Sequence, residues 1–196
     1  MNILYLMAAE AEYGACLRAR IAPVMIGIGP VEAAIATTRA LAERQADLPA
    51  LVVSLGSAGS RTLEHGAVYQ AISVCYRDMD ASALGFARGV TPLTDLPPTL
   101  PLEPQIPGLR PATLSTGANV VTGAAYEAVG EDMVDMETFA VLRACQGFNV
   151  PLLALRGISD GAHELKKLTD WTQYLDVVDR NLADAVERIE AHYSGR

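Results

Sequence analysis

Short runs of apolar residues recur along this chain, and longer stretches with helical periodicity or high alanine content separate them. Apolar runs of this length, bounded by Gly, Pro or polar residues, are typical of buried strands. They predict strands at residues 3–8, 24–28, 51–55, 67–76, 112–115, 133–136 and 151–158. The third run leads into a turn of small residues, and a turn or short helix is expected around Tyr126.

The intervening stretches predict helices up to about residue 20 and over residues 31–44, 137–147 and 168–192. The last helix is the clearest, because its apolar residues recur at spacings of three or four. These residues are Leu175, Val178, Leu182, Val186 and Ile189. Strands that alternate with helices predict an α/β fold with three layers, α/β/α, around a central, mostly parallel mixed sheet.

Residues 91–111 interrupt this alternation. They hold seven of the eleven prolines, which excludes a regular helix or a central strand. We expect an extended surface loop, and loops of this length are often lids or binding segments. No repeat and no linker divides the 196 residues, so the sequence predicts a single domain over residues 1–196.

Composition and charge narrow the possible functions. The net charge of −8 and the lack of a basic run argue against a nucleic-acid partner. Cys16, Cys75 and Cys145 form neither a disulfide framework nor a CxxC pair, which favours a reducing, cytoplasmic compartment. The N-terminus lacks the basic lead-in of a signal peptide, and no apolar run approaches the roughly 20 residues of a membrane span.

Two acidic residues stand where apolar strands are expected to end. Glu137 follows the run at 133–136, and Asp160 follows the run at 151–158. A carboxylate packs poorly in a core, whereas the carboxyl edge of an open α/β sheet is where ligands bind. The pair therefore predicts a site of chemistry at that edge.

Four segments, in order, carry a resemblance to a known family. They are Met-Ala-Ala-Glu-Ala-Glu at 7–12, Gly-Ser-Ala-Gly at 56–59, Val-Asp-Met-Glu at 134–137 and Arg-Gly-Ile-Ser-Asp at 156–160. The chain resembles the nucleoside phosphorylase/nucleosidase superfamily and, within it, the methylthioadenosine/S-adenosylhomocysteine nucleosidases. The resemblance implies the nucleoside phosphorylase-like fold. It also implies hydrolysis of the N-glycosidic bond of a purine nucleoside, such as methylthioadenosine or S-adenosylhomocysteine.

The resemblance gives the two strand-end carboxylates their roles. Asp160 would be the general acid at the purine N7, which needs a raised pKa, and Ser159 would bind substrate beside it. The alternative for Asp160 is a helix N-cap. Glu137 would hold the ribose hydroxyls, with Met136 touching the sugar. Its alternative is a first-turn position that complements the helix dipole.

A second group would act on the attacking water. Glu12 would activate that water, and Arg156 and Ser57 would position it. The alternatives are a solvated helix residue for Glu12, a surface arginine for Arg156 and a tight turn for Ser57. An arginine that closes an apolar strand needs a partner, for which Glu12 or Asp160 would serve.

The segment at 116–123 resembles the purine-binding loop of the family. The backbone at Val121 would read the base edge, and Val120 falls where an aromatic residue commonly stacks on the purine. Phe86 or Tyr126 is a candidate to supply the missing ring. The segment at 76–85 resembles the part that lies near the ribose tail and the subunit interface, so a homodimer is expected. Its alternative is an acidic surface turn.

Three functions remain open: a nucleosidase that uses water, a phosphorylase that uses phosphate, and a non-catalytic nucleoside-binding protein. The acidic segment at 8–12 repels phosphate, which favours water. A lone Gly-Ile-Gly at 27–29 is weak support for phosphate binding. His65, His163 and His192 are isolated, so the sequence predicts no metal and no cofactor.

Overall fold

A computed structural model describes residues 1–161 and 174–194, and it contains both strands and helices, as the sequence predicts. The strands are β1 (Ile3–Met7), β2 (Val24–Met25), β3 (Leu51–Gly59), β4 (Val68–Tyr76), β5 (Thr99–Pro101), β6 (Arg110–Thr116), β7 (Met133–Asp135) and β8 (Leu152–Asp160). The helices are α1 (Ala15–Arg18), α2 (Pro30–Ala42), α3 (Thr138–Gly147) and α4 (Leu175–Ser194). Short 3₁₀ helices cover Glu10–Glu12, Ser82–Leu84 and Gly123–Ala128.

The eight strands form one mixed sheet. Its order is β2-β1-β3-β7-β6-β4-β5, and β8 pairs with both β3 and β4. Five pairings are parallel, and the three antiparallel ones join β3 to β7, β4 to β5 and β4 to β8. Because β8 bridges β3 and β4, the strands β3, β8, β4, β6 and β7 close into a ring.

Two apolar cores lie on the two faces of this sheet. One core contains α2 and α3 side chains such as Leu41 and Val141. The other contains the apolar face of α4, including Leu182, Val186 and Ile189. The result is the three-layer α/β/α architecture that the sequence predicts. Among the described helices, none combines the length and apolarity that crossing a membrane requires.

Several boundaries differ from the prediction. The small residues after Leu55 continue β3 to Gly59, because they pair with β8 instead of turning away. The second predicted strand shrinks to Val24–Met25, which pairs only with β1 at the sheet edge. The first helix is a single turn, at Ala15–Arg18. Residues 168–173 of the last predicted helix, which fall within the undescribed range 162–173, lie outside the described part.

The proline-rich stretch is only partly a loop. It contains β5, which pairs with β4, and it runs into the start of β6. Pro111 lies inside β6 opposite Gln70. The sheet tolerates this proline because β7 pairs with β6 only from Leu114 onward.

Candidate active site

The carboxyl ends of β1, β3, β7 and β8 open into a cavity of about 500 Å³. This is the edge at which the sequence predicts a ligand. The lining residues are Ala8, Ala9, Glu12, Ile28, Ser57, Ala58, Gly59, Arg77, Asn119, Val120, Val121, Val134, Asp135, Met136, Glu137 and Asp160. Seven of the nine residues that the sequence proposes for the site therefore line one cavity. The two exceptions are Arg156 and Ser159.

Glu12 projects from the 3₁₀ helix that follows β1. The side chain is only 6% exposed, so the solvated-helix interpretation is wrong. Its Oε1 accepts hydrogen bonds from the backbone N–H of Ser57 at 2.7 Å and from the Ser57 hydroxyl at 2.6 Å. Oε2 accepts no hydrogen bond from any described residue. Burial raises the pKa of Glu12, and the Ser57 bonds and the Arg156 charge oppose this rise.

Glu137 stands between β7 and α3 with a buried side chain. Its carboxylate does not cap its own helix. Instead, Oε1 accepts the backbone N–H of Gly29 at 2.9 Å. Gly29 has φ +95°, which favours glycine, and it directs this N–H into the site at the start of α2. Burial, together with the neighbouring Asp135 charge, raises the pKa of Glu137 to about 7.

Asp160 is the last residue of β8, opposite Gly59 of β3. Burial raises its pKa, against a hydrogen bond from Ser159 and the charge of His65. The Ser159 hydroxyl donates to Asp160 Oδ1 at 2.6 Å. Ser159 itself is fully buried and is not among the residues that line the cavity; its hydroxyl contacts Asp160.

Arg156 also lies behind the cavity wall, and it is 2% exposed. Its partner is Asp135 at 3.0 Å, not Glu12 or Asp160 as the sequence suggested. The remaining N–H groups donate to Ser54, Leu155 and Thr138. All five guanidinium hydrogens are therefore used, and none is left to hold a water molecule. Neither the surface interpretation nor direct contact with water describes this arginine.

Asp135 is a site residue that the sequence analysis missed. Its Oδ1 accepts the Thr116 hydroxyl at 2.6 Å, and its Oδ2 accepts the hydroxyl and backbone N–H of Thr138 in addition to Arg156. This network ties β6, β7, α3 and β8 together directly beneath Glu137. The sequence feature that could have identified Asp135 is its position within an apolar strand, two residues before Glu137.

Arg77, which follows β4, is a second missed residue. It lines the cavity, and its Nη atoms donate to the carbonyls of Ser115, Gly117, Asn119 and Asp135. Its Nε donates to Asn119 Oδ1 at 3.3 Å. Arg77 thus fixes the loop after β6, and a side chain at Gly117 would collide with it.

Comparison with known proteins places the chain in a family. The family described as the phosphorylase superfamily matches residues 113–191. A 5′-methylthioadenosine/S-adenosylhomocysteine nucleosidase of Hydrogenovibrio crunogenus is 30% identical over 186 residues, covering 85% of this chain and 78% of the relative. One from Haemophilus influenzae is 31% identical, covering 72% and 68%. The chain belongs to the 5′-methylthioadenosine/S-adenosylhomocysteine nucleosidase family.

Solved structures have the same fold. A nucleosidase of this family from Neisseria meningitidis, in complex with methylthio-immucillin-A, superposes with a TM-score of 0.80 at 22% identity, covering 95% of this chain and 97% of that one. Futalosine hydrolase of Helicobacter pylori gives a TM-score of 0.82 at 20% identity, covering 97% of each. The predicted fold, the predicted family and the prediction of an N-glycosyl hydrolase are confirmed.

The wall formed by the loop after β6 is aliphatic in this nucleosidase. Val120 is 61% exposed at the cavity mouth, and Val121 is buried against Tyr126 and Val134. Neither Phe86 nor Tyr126 is among the described lining residues, so neither supplies the missing stacking ring there.

The electrostatic character of the nucleosidase cavity is acidic. Glu12, Asp135, Glu137 and Asp160 line it, and Arg77 is its cation within the described ranges. Within residues 1–161 and 174–194, no group of three His, Cys, Asp or Glu side chains is arranged to hold a metal ion. His163 lies outside these ranges.

Proposed function

We propose that this nucleosidase hydrolyses the N-glycosidic bond of a 5′-substituted adenosine, such as methylthioadenosine or S-adenosylhomocysteine, with water as the nucleophile. The names of the relatives supply the substrate class. The observation that carries the proposal is the convergence of Glu12, Glu137 and Asp160 on one cavity of about 500 Å³. Each carboxylate has a different set of partners, which suits each for a different part of the reaction.

Asp160 is the general acid. As the bond between C1′ and N9 breaks, its electron pair moves onto the purine, and a proton at N7 stabilises the leaving base. Burial holds the pKa of Asp160 above its usual value, which favours the protonated form that a general acid needs. The Ser159 hydroxyl fixes Oδ1, and Oδ2 accepts no hydrogen bond from the described residues.

Glu137 is the group for the ribose. An ionised carboxylate accepts hydrogen bonds from two adjacent hydroxyls, and its charge stabilises the ribosyl cation that develops next to it. The Gly29 N–H holds Oε1 in place from the other side. Met136 lines the cavity beside it and packs against the sugar.

Glu12 is the base for the attacking water. Ser57 fixes Oε1 with two hydrogen bonds, and Oε2 remains to accept a proton from the water. Arg156 acts from behind the wall: its charge lowers the pKa of Glu12 and of Glu137 and so favours their ionised forms. We therefore assign Arg156 a positioning role.

The acidic lining favours water over phosphate. A phosphate beside the ribose requires cationic or N–H donors that are free to bind it. Arg77 is the cation that lines the described cavity, and its five N–H groups are already donated to the loop after β6. Glu12, Glu137 and Asp160 would repel the anion.

The test is product analysis with methylthioadenosine, in buffer without phosphate and in buffer with added phosphate. We expect adenine and free methylthioribose at the same rate in both buffers. Strict dependence on phosphate, with a sugar 1-phosphate as product, would assign the reaction to the phosphorylases. Tight binding of the nucleoside without any release of adenine would indicate a binding protein.

We also propose that the enzyme is a homodimer whose interface borders the cavity. Exposed apolar side chains gather near its mouth: Ile28 and Val120 line it, and Val31 and Ile35 follow along α2. Leu84, in the segment proposed for the interface, is also exposed. Patches of this kind commonly mark protein contacts.

The dimer proposal is tested by light scattering after size exclusion. Ile35→Lys should yield monomers, because a charge would be buried in the interface. The control Val177→Lys puts the same charge on α4, in the opposite helical layer, and should remain dimeric. A monomeric wild type would refute the proposal.

A reducing, cytoplasmic compartment is consistent with the cysteines. Cys16, Cys75 and Cys145 are all free thiols. Burial raises the pKa of Cys145 to about 12, so it behaves as a small apolar core residue. None of the three depends on oxidation for its place in the fold.

A further inference from the structure

Tyr126 carries a buried hydroxyl that is not paired with any described residue. The residue belongs to the 3₁₀ helix Gly123–Ala128, is 9% exposed, and packs its ring against Val121 and Val134 of the cavity wall. Its hydroxyl makes no hydrogen bond with any residue that the structure describes. A buried polar group left unpaired is unfavourable and rare, so its presence calls for an explanation in function.

The hydroxyl faces Asp160 across the space that Gly59 leaves empty. A Cβ at Gly59 would lie 2.3 Å from Tyr126 Oη and 2.8 Å from Asp160 Oδ2. The two oxygens therefore point at the same place, and any side chain larger than hydrogen on β3 would separate them. Gly59 lies in β3 without a positive φ, so this close approach is the reason for a glycine here.

The two oxygens of Asp160 have different surroundings. Oδ1 accepts the Ser159 hydroxyl at 2.6 Å. Oδ2 accepts no hydrogen bond from the described residues, and it is the oxygen that faces Tyr126. The charge of His65 also acts on Asp160, and the charges of Arg77 and Arg61 act on Tyr126.

We propose that Tyr126 is a positioning residue for the general acid, donating its hydroxyl to Asp160 Oδ2 when the carboxyl has given its proton to the leaving base. This inference rests on the proposed function. The proton of Asp160 moves to N7, the electron pair of the C1′–N9 bond moves to the purine, and the resulting carboxylate accepts the Tyr126 hydrogen bond. Tyr126 keeps its own proton throughout, because burial and the Asp160 charge raise its pKa well above the usual value.

The first test is Tyr126→Phe, which removes one oxygen and retains the ring that packs against Val121 and Val134. We expect kcat to fall about tenfold with little change in KM, because the carboxylate product loses a charge-assisted hydrogen bond. The alkaline limb of the kcat/KM profile should move up by about one pH unit, since a bond to the ionised form lowers a pKa and its loss raises it. The control Tyr5→Phe removes a hydroxyl that bonds Glu190 at 3.4 Å on α4, and it should leave the profile unchanged.

A double-mutant cycle isolates the contact. In the Asp160→Asn background, Tyr126→Phe should have no further effect on kcat, because the carboxylate that accepts the bond is gone. Equal losses in both backgrounds, or an unmoved alkaline limb in the single variant, would overturn the proposal and leave Tyr126 as a packing residue.

A carboxyl carbon NMR titration of Asp160 reads the same contact without turnover. The pKa of Asp160 should be higher in Tyr126→Phe than in the wild type and unchanged in Tyr5→Phe. Absence of base release by the wild type would refute the proposed function alone, and this titration would still decide the role of Tyr126. An Asp160 pKa that is the same in the wild type and in Tyr126→Phe would refute the proposed positioning role of Tyr126.

Discussion

At the scale of single residues, the carboxylates of the site differ in the hydrogen-bond donors that surround them. Asp135 receives hydrogen bonds from Arg156, Thr116 and Thr138. Glu137, its near neighbour, receives one from Gly29 and is left with a pKa of about 7. One cavity wall thus holds a carboxylate paired with Arg156 beside Glu137, whose pKa lies near neutrality.

Substrate affinity should consequently depend on pH. Glu137 accepts the ribose hydroxyls when ionised, and because its pKa is raised to about 7, ionisation increases from pH 6 to pH 8. We expect methylthioadenosine to bind the Asp160→Asn variant several-fold more tightly at pH 8 than at pH 6, measured by calorimetry. The 2′,3′-dideoxy analogue, which lacks the hydroxyls, should bind equally at both values. The same pH dependence for both ligands would exclude Glu137 as the ribose group.

Arg156 should prove to be a stability residue as much as a functional one. Arg156→Met leaves Asp135 as an unpaired buried charge, which costs about 3–5 kcal/mol of unfolding free energy. Arg18→Met breaks an exposed pair with Glu10 and should cost under about 1 kcal/mol. Urea denaturation measures both. Similar losses of unfolding free energy in the two variants would show that the buried pair contributes no more to stability than the exposed pair.

At the scale of elements, the sequence predicts those helices and strands whose formation depends on the local pattern of apolar residues. The periodicity of α4 and the apolar runs of β4 and β8 predict those elements, because each buries a continuous apolar face. Small residues after Leu55 suggested a turn, yet they continue β3, because β8 supplies a neighbouring strand across the whole length. That pairing is a long-range contact, and local pattern carries no information about it.

The absence of long-range information in the local pattern also explains which site residues the sequence predicted correctly and which contacts it did not. Glu12, Glu137 and Asp160 were found from their motifs and strand-end positions. Arg156 received the wrong partner, because only the fold brings β7 and Asp135 beside β8. Tyr126 was expected in a turn or short helix and was a candidate for the stacking ring. Its position beside Asp160 instead depends on how a 3₁₀ helix packs on the sheet.

Gly59 offers a test at this scale. Gly59→Ala would place a methyl group between Tyr126 Oη and Asp160 Oδ2, so we expect a loss of about 1–3 kcal/mol in stability and at least a tenfold loss of kcat. Gly130→Ala is the control, since a Cβ there meets nothing within 4 Å. Chemical denaturation and initial rates measure the two effects. Full activity in Gly59→Ala would mean that Asp160 does not act from this position.

At the scale of the whole molecule, the acids of the site gather in one cavity at the carboxyl ends of the strands, in a protein of net charge −8. Burial raises the pKa values of Glu12, Glu137 and Asp160 in the folded state. Ionising them destabilises the fold, because the unfolded chain solvates the charges better. The arrangement that serves the reaction therefore reduces stability near neutral pH.

This gives a pH dependence of stability with a defined sign. A pKa that is higher in the folded state contributes stability below the unfolded value, and that stability is lost as pH rises through the folded value. For Glu137 the window runs from its ordinary 4.5 to about 7, with a slope of at most about 1.4 kcal/mol per pH unit. Glu137→Gln should flatten the unfolding free energy across this window. An identical slope in wild type and variant would contradict the buried-acid account.

The central claim is that the protein releases a purine base through Asp160. The most direct measurement is chromatographic release of adenine from methylthioadenosine, without phosphate, by the wild type and by Asp160→Asn at equal folded concentration. The account predicts release by the wild type and at least a hundredfold slower release by Asp160→Asn, in line with the loss of a general acid. Equal rates in the two proteins would remove Asp160 from the acid role, and no release by the wild type would contradict the proposed reaction itself.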